Sequence, residues 1–455
     1  MNEDLNDIFK DIPEIINSQY EMEEPNLPIE IYEGEFTLIQ KENSVKVTGR
    51  IFFDWFPHQN VKFEGIINET EHTPFVSFDA SEKLDLLIND IDFGIALLSN
   101  ITRGQNVEVS GIIQGESVLG DKSIPVSKIN FTIPNLIDLW GDTVKVLKEN
   151  GVVQTCKNRV LFENDDFIIT IDKSSKFKTL STELSKKGGY VVLYVGELTK
   201  KTGSIEHDQL QELIYSFSIF LSFLNGRRCA PLFLQGTHAN EVIWTDFTAY
   251  NTDQFKYVTS WCPKFSIDGM SELWQQFSII WKNQNDKNFL DFLIHWYVEA
   301  NGNSGYMEGS IIMAQIALEL VYNWLIIEKK RLLIGKDGEN ISAANKIRLL
   351  LGQINLETVT PTAFENLKKF VDDNNELVDG VDAFVQIRNA LIHSQEEKRK
   401  KLTNISSKIK YEAQQLSLQY IEYSLLSILG YKGKYYNRCS GKYYAGEGEE
   451  YIQYK

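Results

Sequence analysis

Cysteine is scarce in this 455-residue chain: Cys156, Cys229, Cys262 and Cys439 are the only four, and no two form a CxxC pair. Such wide spacing excludes the ligand signature of a zinc ribbon or finger and gives no disulfide framework, which suits a reducing cytoplasm. No secretory leader is expected either. The opening MNEDLNDIFKDIPEII carries acids where a signal peptide needs a positive start and an apolar run, so a cytoplasmic protein is expected. Long apolar runs are few. The strongest, residues 311–327, is interrupted by Gln315, Glu319 and Asn323, whose i, i+4, i+8 spacing puts all three on one helical face. That pattern describes a buried helix with one polar ridge and implies no membrane. Positive charge is also short, with 46 Lys and Arg against 63 Asp and Glu and a net charge of −17. A protein that coats nucleic acid by charge alone is thereby excluded, because phosphate binding draws on Lys and Arg. Five histidines, His58, His72, His207, His238 and His295, are scattered without metal spacing and read as structural.

What the chain does have is apolar and aromatic residues, 43% and 12%, enough to fill the cores of two or three domains. Its charge is unevenly spread: residues 1–35 hold eleven acids and one lysine, while residues 396–442 hold ten Lys and Arg against four Glu. Residues 1–27 read as an acidic helix or tail. From 28 to 265 the pattern is β-rich. Val45 and Val47 alternate with Lys46 and Thr48, and Ile129, Phe131 and Ile133 with Asn130 and Thr132, as in half-buried antiparallel strands. One amphipathic helix, residues 206–225, interrupts this region and stops at Gly226. From 266 to 455 helical periodicity takes over, with segments expected at 271–281, 288–299, 306–330, 342–353, 363–374, 381–395 and 403–429. The expected class is α+β, a β-rich region followed by an all-α bundle.

The helix beginning near Asp379 carries the chemistry. Val381, Phe384, Val385, Leu391 and Ile392 form a stripe at i, i+3, i+4, i+10 and i+11, and position i+7 is Arg388. A guanidinium on an apolar stripe needs a partner, and a phosphate or a carboxylate is the natural one. Asn389 and His393 are four apart on the flank of the same helix, close enough for the amide to orient the imidazole. Arg, Asn and His on one edge suit RNA transesterification without a metal: His393 moves a proton and Arg388 neutralises charge growing on the scissile phosphate.

The segment IRNALIH, residues 387–393, resembles the R-x4-6-H signature of HEPN domains. That resemblance implies an all-helical bundle, pairing as a dimer, with a metal-independent endoribonuclease site and no cofactor. Glu319, on a first long helix of the kind that often contributes a polar residue, is then a candidate for active-site support. The whole chain, through its segment order and stretches such as FLSFLNGRR (220–228) and LLSILGYKGKYYN (425–437), is similar to the ApeA-like branch of bacterial anti-phage HEPN proteins. This implies abortive infection, with the β-rich region as a sensor or restraint and a phage-derived trigger.

Lys398, Arg399, Lys400 and Lys401 follow the motif within two turns and would track an RNA backbone into the site, or else form a solvated helix junction. Tyr435, Tyr436, Tyr443 and Tyr444, interleaved with Lys434, Arg438 and Lys442, either stack unpaired bases or pack the C-terminal segment on the bundle. Two readings of the motif itself stand beside the enzyme. Arg388 pairs with a carboxylate such as Glu319 and His393 sits idle on the surface, or the bundle is a non-catalytic dimerisation or nucleotide-binding module.

Overall fold

Alternating apolar residues over the first third of the chain make six antiparallel strands that close on themselves. They are β1 (Ile29–Gln40), β2 (Asn43–Asp54), β3 (Asn60–Ile67), β4 (Leu84–Ile88), β5 (Ile91–Arg103) and β6 (Val107–Gln114), and they form a barrel in the order β1-β2-β3-β6-β5-β4. Phe36, Leu38, Val47, Phe63 and Leu86 point inward and are buried. Closure needs close backbone approach. Gly49 of β2 faces Gly65 of β3, and a Cβ on Gly49 would lie 2.0 Å from the Glu64 carbonyl oxygen, so no side chain fits there. The computed structural model describes residues 11–17, 19–67, 79, 81–104, 106–147, 153–303, 306–392, 405–442, 444 and 446–452.

A second sheet follows, of eight strands in the order β7-β14-β13-β8-β12-β11-β10-β9. Its strands are β7 (Val118–Gly120), β8 (Lys128–Pro134), β9 (Asp142–Leu147), β10 (Val153–Glu163), β11 (Phe167–Lys173), β12 (Val192–Lys200), β13 (Leu232–His238) and β14 (Glu241–Asp246). Two helices interrupt it, α1 (Phe177–Lys187) and α2 (His207–Asn225). Phe217 of α2 meets Phe131 and Phe162 of the sheet at ring distances of 6.4 and 5.5 Å. The C-cap Gly226 adopts φ 69° and donates to the Ser222 carbonyl, as its position after the apolar periodicity predicts. The β-rich stretch thus holds two sheets, joined by aromatic packing of Phe53 and Trp55 from the barrel on Phe233 of β13.

The acidic N-terminal segment is neither helix nor loose tail over its described residues. It runs extended along the second sheet, where Lys145 and Ile15 exchange backbone hydrogen bonds with Pro13 and Lys145. Farther on, Trp55 donates its indole N–H to the Leu27 carbonyl. Its acids meet bases of the sheet layer: Glu23 lies 2.5 Å from Lys176 and Glu24 2.7 Å from Lys187. Those pairs favour a fixed strap over a solvated helix.

From residue 270 onward helices dominate: α3 (Met270–Trp281), α4 (Gln284–Asn301), α5 (Tyr306–Tyr322), α6 (Ala343–Gln353), α7 (Glu365–Asp372), α8 (Gly380–Ile392) and α9 (Ser407–Ile428), with a closing hairpin of β15 (Lys434–Tyr436) and β16 (Glu449–Tyr451). The molecule is therefore mixed α+β, β-rich first and helical second. The helix expected over 306–330 changes character at Asn323, where a π-helical segment, Asn323–Lys329, lets the Trp324 ring stack on Phe289 at 4.3 Å and donate to Asp286. The span Tyr306–Lys329 is long and apolar enough to cross a membrane by length and composition, with mean hydropathy 1.7. Here it packs against α4, α6, α8 and α9 at the centre of the helical part.

Candidate active site

The helix that carries Arg388 is anchored at its start. Asp379 precedes α8 and accepts from the Asp382 amide at 2.9 Å, an N-cap bond, while Arg348 of α6 grips both its oxygens at 2.8 Å and reaches Asp382 at 2.6 Å. Burial opposes ionisation of Asp379, yet the Arg348 guanidinium and the Asp382 amide together hold its carboxyl below the usual range. One end of the site is thus fixed by a fork and a cap.

The inner face of α8 follows the expected stripe at its start and departs from it near its end. Of the expected stripe Val381, Phe384 and Val385 are buried, together with Gly380, Ala383, Ile387 and Ala390, whereas Leu391 is half-buried and Ile392 is 42% exposed. Arg388 and Asn389 are consequently half-buried at the edge of the packed face, and Arg388 is not at its centre. The Arg388 Nη1 donates to Asn389 Oδ1 at 3.1 Å. Its Nε is buried without a hydrogen-bond partner, and no ion pair to Arg388 occurs among the described residues. Glu319, the carboxylate expected as a possible partner, instead accepts from Gln315 of its own helix α5 at 3.0 Å. Gln315 is buried at 1% exposure with its Oε1 unpartnered, and Asn323 is exposed, so the polar ridge of this helix runs from core to surface.

The structure therefore places Arg388 beside Asn389 and packs their helix α8 on α5, which bears Glu319. His393, Lys398, Arg399, Lys400 and Lys401 lie outside the described residues. Among the described residues, no group of three His, Cys, Asp or Glu side chains is placed to hold a metal ion.

Residues 121–258 match the YopA central domain, and residues 283–450 the YopA C-terminal domain. The chain is also 27% identical, over 425 residues, to the SPbeta prophage-derived uncharacterized protein YopA of Bacillus subtilis (strain 168), with 91% of this chain and 92% of that protein covered. No solved structure matches. The two YopA-like stretches follow the architecture. The first spans the second sheet from β8 to β14 with α1 and α2, and the second begins at Asn283, whose side chain caps α4 by accepting from the amides of Asn285 and Asp286. The barrel lies ahead of both.

Within the stretch that matches the YopA C-terminal domain, the aromatic and basic residues near the end divide between packing and surface. Arg438 is buried, 1% exposed at its side chain, and paired at 2.6 Å with Glu422 of α9, which is fully buried. Tyr297 donates to the same carboxylate at 2.6 Å, and Arg438 also donates to Thr259 and Asn301. Tyr435 is buried and donates to Glu450. Base stacking is therefore closed to Tyr435 and Arg438, and packing on the bundle is their role. Tyr436 is half-buried, Tyr444 is exposed, and Tyr443 lies outside the described residues. Sequence reasoning also missed a cavity between α2 and α4 lined by Arg228, His295 and Asp291. Only the i, i+4 spacing of Asp291 and His295 hinted at a shared face; the partner helix lies about eighty residues away in the chain, roughly the separation that local periodicity cannot see.

Proposed function

We propose that this chain is a metal-independent endoribonuclease of the HEPN type, with Arg388, Asn389 and His393 as its catalytic set. The observation that carries the reading is the state of Arg388: half-buried, with a buried Nε that lacks a partner and no carboxylate in reach among the described residues. A guanidinium left with unused donors is suited to an incoming phosphate. In this mechanism His393 transfers a proton at the 2′-hydroxyl or the leaving 5′-oxygen, Arg388 stabilises the charge that grows on the phosphoryl oxygens, and Asn389 positions its neighbours. Glu319 supports the site from α5, and Lys398, Arg399, Lys400 and Lys401 guide the RNA backbone.

The working unit is a symmetric dimer in the cytoplasm, and the function is bacterial anti-phage defence by abortive infection, as the resemblance to ApeA-like proteins implies. On α5, Met313 and Leu320 are half-buried and Ile316 is 37% exposed, next to the helix that carries the site and ends at exposed Ile392. A second copy laid on this apolar edge would turn the Arg388 flank into a cleft wall. The prophage origin stated for the Bacillus relative fits a part in conflict between phages and their hosts. The β-rich region then senses a phage-derived trigger or restrains the nuclease.

The test is cleavage of single-stranded RNA in EDTA by the purified chain. Products ending in a 2′,3′-cyclic phosphate and a 5′-hydroxyl are expected, with 2′-deoxy substitution at the cut blocking reaction. Activity that disappears in EDTA, or that survives the 2′-deoxy substitution, rules the mechanism out. Light scattering checks the dimer, and a strictly monomeric chain with and without RNA counts against a shared cleft.

A further inference from the structure

Where the second sheet meets the helical part, α2 and α4 enclose a cavity of about 230 Å³. Helix α2 contributes Tyr215, Ser218, Ile219 and Ser222, at i, i+3, i+4 and i+7, and α4 contributes Asp291, Ile294, His295 and Val298 with the same spacing. Ala230 and Tyr250 close the remaining wall. One helix belongs to the stretch that matches the YopA central domain and the other to the C-terminal match, so the cavity lies on the seam between them.

Its two ends differ in charge. At one, Arg228 lies 3.4 Å from Asp253, is bonded to Glu299, and has its Nη2 3.3 Å from the Nδ1 of His295. Two carboxylates already claim that guanidinium. At the other end Asp291 accepts from the Tyr215 hydroxyl at 2.7 Å, and among the described residues no cation lies within ion-pair distance of it. Lys287, one turn earlier on α4, is held by both oxygens of Glu212 at 2.7 and 2.8 Å. The charged residues lining the cavity are thus Arg228, already paired, and Asp291. Burial first, then the hydrogen bond to Asp291 and the charges of Asp291 and Glu212, push the Tyr215 phenol well above its ordinary value.

Asp291 is half-buried and reaches solvent, and with no ion-pair partner among the described residues it offers a carboxylate to a cation at this end. The lining also includes Ile219, Ile294 and Val298, which supply an aliphatic surface. We propose that this cavity binds a small protonated organic amine, its ammonium on Asp291 and its apolar body against Ile219, Ile294 and Val298. The size agrees: a protein cavity of roughly 150 Å³ accepts benzene, so the space here holds one ring with a short amine tail.

Calorimetric titration of the full chain at neutral pH with phenethylamine, phenethyl alcohol and phenylacetate tests this. Phenethylamine is expected to bind and to raise the melting temperature, with the alcohol and the acid weaker by at least roughly tenfold. Asp291→Asn should weaken the amine by roughly ten- to a hundredfold and leave the alcohol unchanged, while Tyr215→Phe, which keeps the carboxylate, should stay within about threefold of the parent. A melting curve like the parent's shows that Asp291→Asn remains folded. Equal binding of amine and alcohol, stronger binding of phenylacetate, no binding of any of the three, or full amine affinity in folded Asp291→Asn each overturns the proposal.

Discussion

Replacing Arg388 with methionine separates a catalytic guanidinium from a structural one. Methionine keeps most of the apolar stem and removes the charge and its donors. Among the described residues the Arg388 Nε is buried without a partner, and the residue's one side-chain hydrogen bond goes to Asn389. Removing an unsatisfied buried donor relieves about 1–3 kcal/mol, and losing the bond to Asn389 costs about 0.5–1.5 kcal/mol. The net change in folding stability should therefore fall between a loss of about 0.5 and a gain of about 2.5 kcal/mol. A guanidinium taken from a buried ion pair would behave otherwise, with a loss of about 3–5 kcal/mol. Cleavage should move independently of stability, by about a hundred- to a thousandfold, the scale for removing one donor aimed at developing charge. Urea unfolding followed by tryptophan fluorescence gives the first quantity, and single-turnover cleavage of an end-labelled RNA in EDTA gives the second. A destabilised Arg388→Met whose activity falls only as its folded fraction falls would refute the reasoning.

His393→Ala should lower the single-turnover rate by roughly a hundred- to ten-thousand-fold with RNA affinity unchanged in filter binding, whereas Lys400→Glu should weaken binding and flatten its salt dependence while saturated enzyme still cleaves. Asp379 has a native pKa below its unfolded value of about 3.9, so the stability it contributes is present above that pH and lost as pH falls through the lowered native value. Acid melts should show this as a steeper decline below about pH 4 in the parent than in Asp379→Asn, and identical pH profiles would refute it. Arg438→Ala leaves Glu422 buried and unpaired and should cost about 3–5 kcal/mol in urea unfolding, while Arg438→Met combined with Glu422→Leu should recover most of the loss.

Helix α2 could be read from the sequence almost to the residue, because its apolar spacing and Gly226 are local signals, and the order of the later helices was legible for the same reason. The stripe through the larger apolar residues of α8 matches the packed face at Val381, Phe384 and Val385 and departs from it at Leu391 and Ile392. Ala383 and Ala390 occupy inner positions, and a stripe drawn through the larger apolar residues passes them over. Helix α1 was overlooked because only Leu180 and Leu184 of its eleven residues are buried. Barrel closure was invisible as well: it depends on β1 pairing with β4, some fifty residues on, and on Gly49 opposite Gly65, neither of which leaves a periodic mark. Of the candidate site, the neighbourhood of Arg388 and Asn389 followed from adjacency on one helix. That Glu319 bonds to Gln315 and not to Arg388 depends on how α5 and α8 pack, which spacing along either helix does not encode.

The buried pair of Arg438 and Glu422 bears on when the helical part can form. Glu422 lies within α9, with Tyr297 of α4 donating to it, and the cation that pairs with it among the described residues, Arg438, comes sixteen residues later along the chain. Docking α4 on α9 without Arg438 would bury a carboxylate without its counter-ion. Close packing of these helices is therefore expected to accompany docking of the segment that follows β15 and carries Arg438.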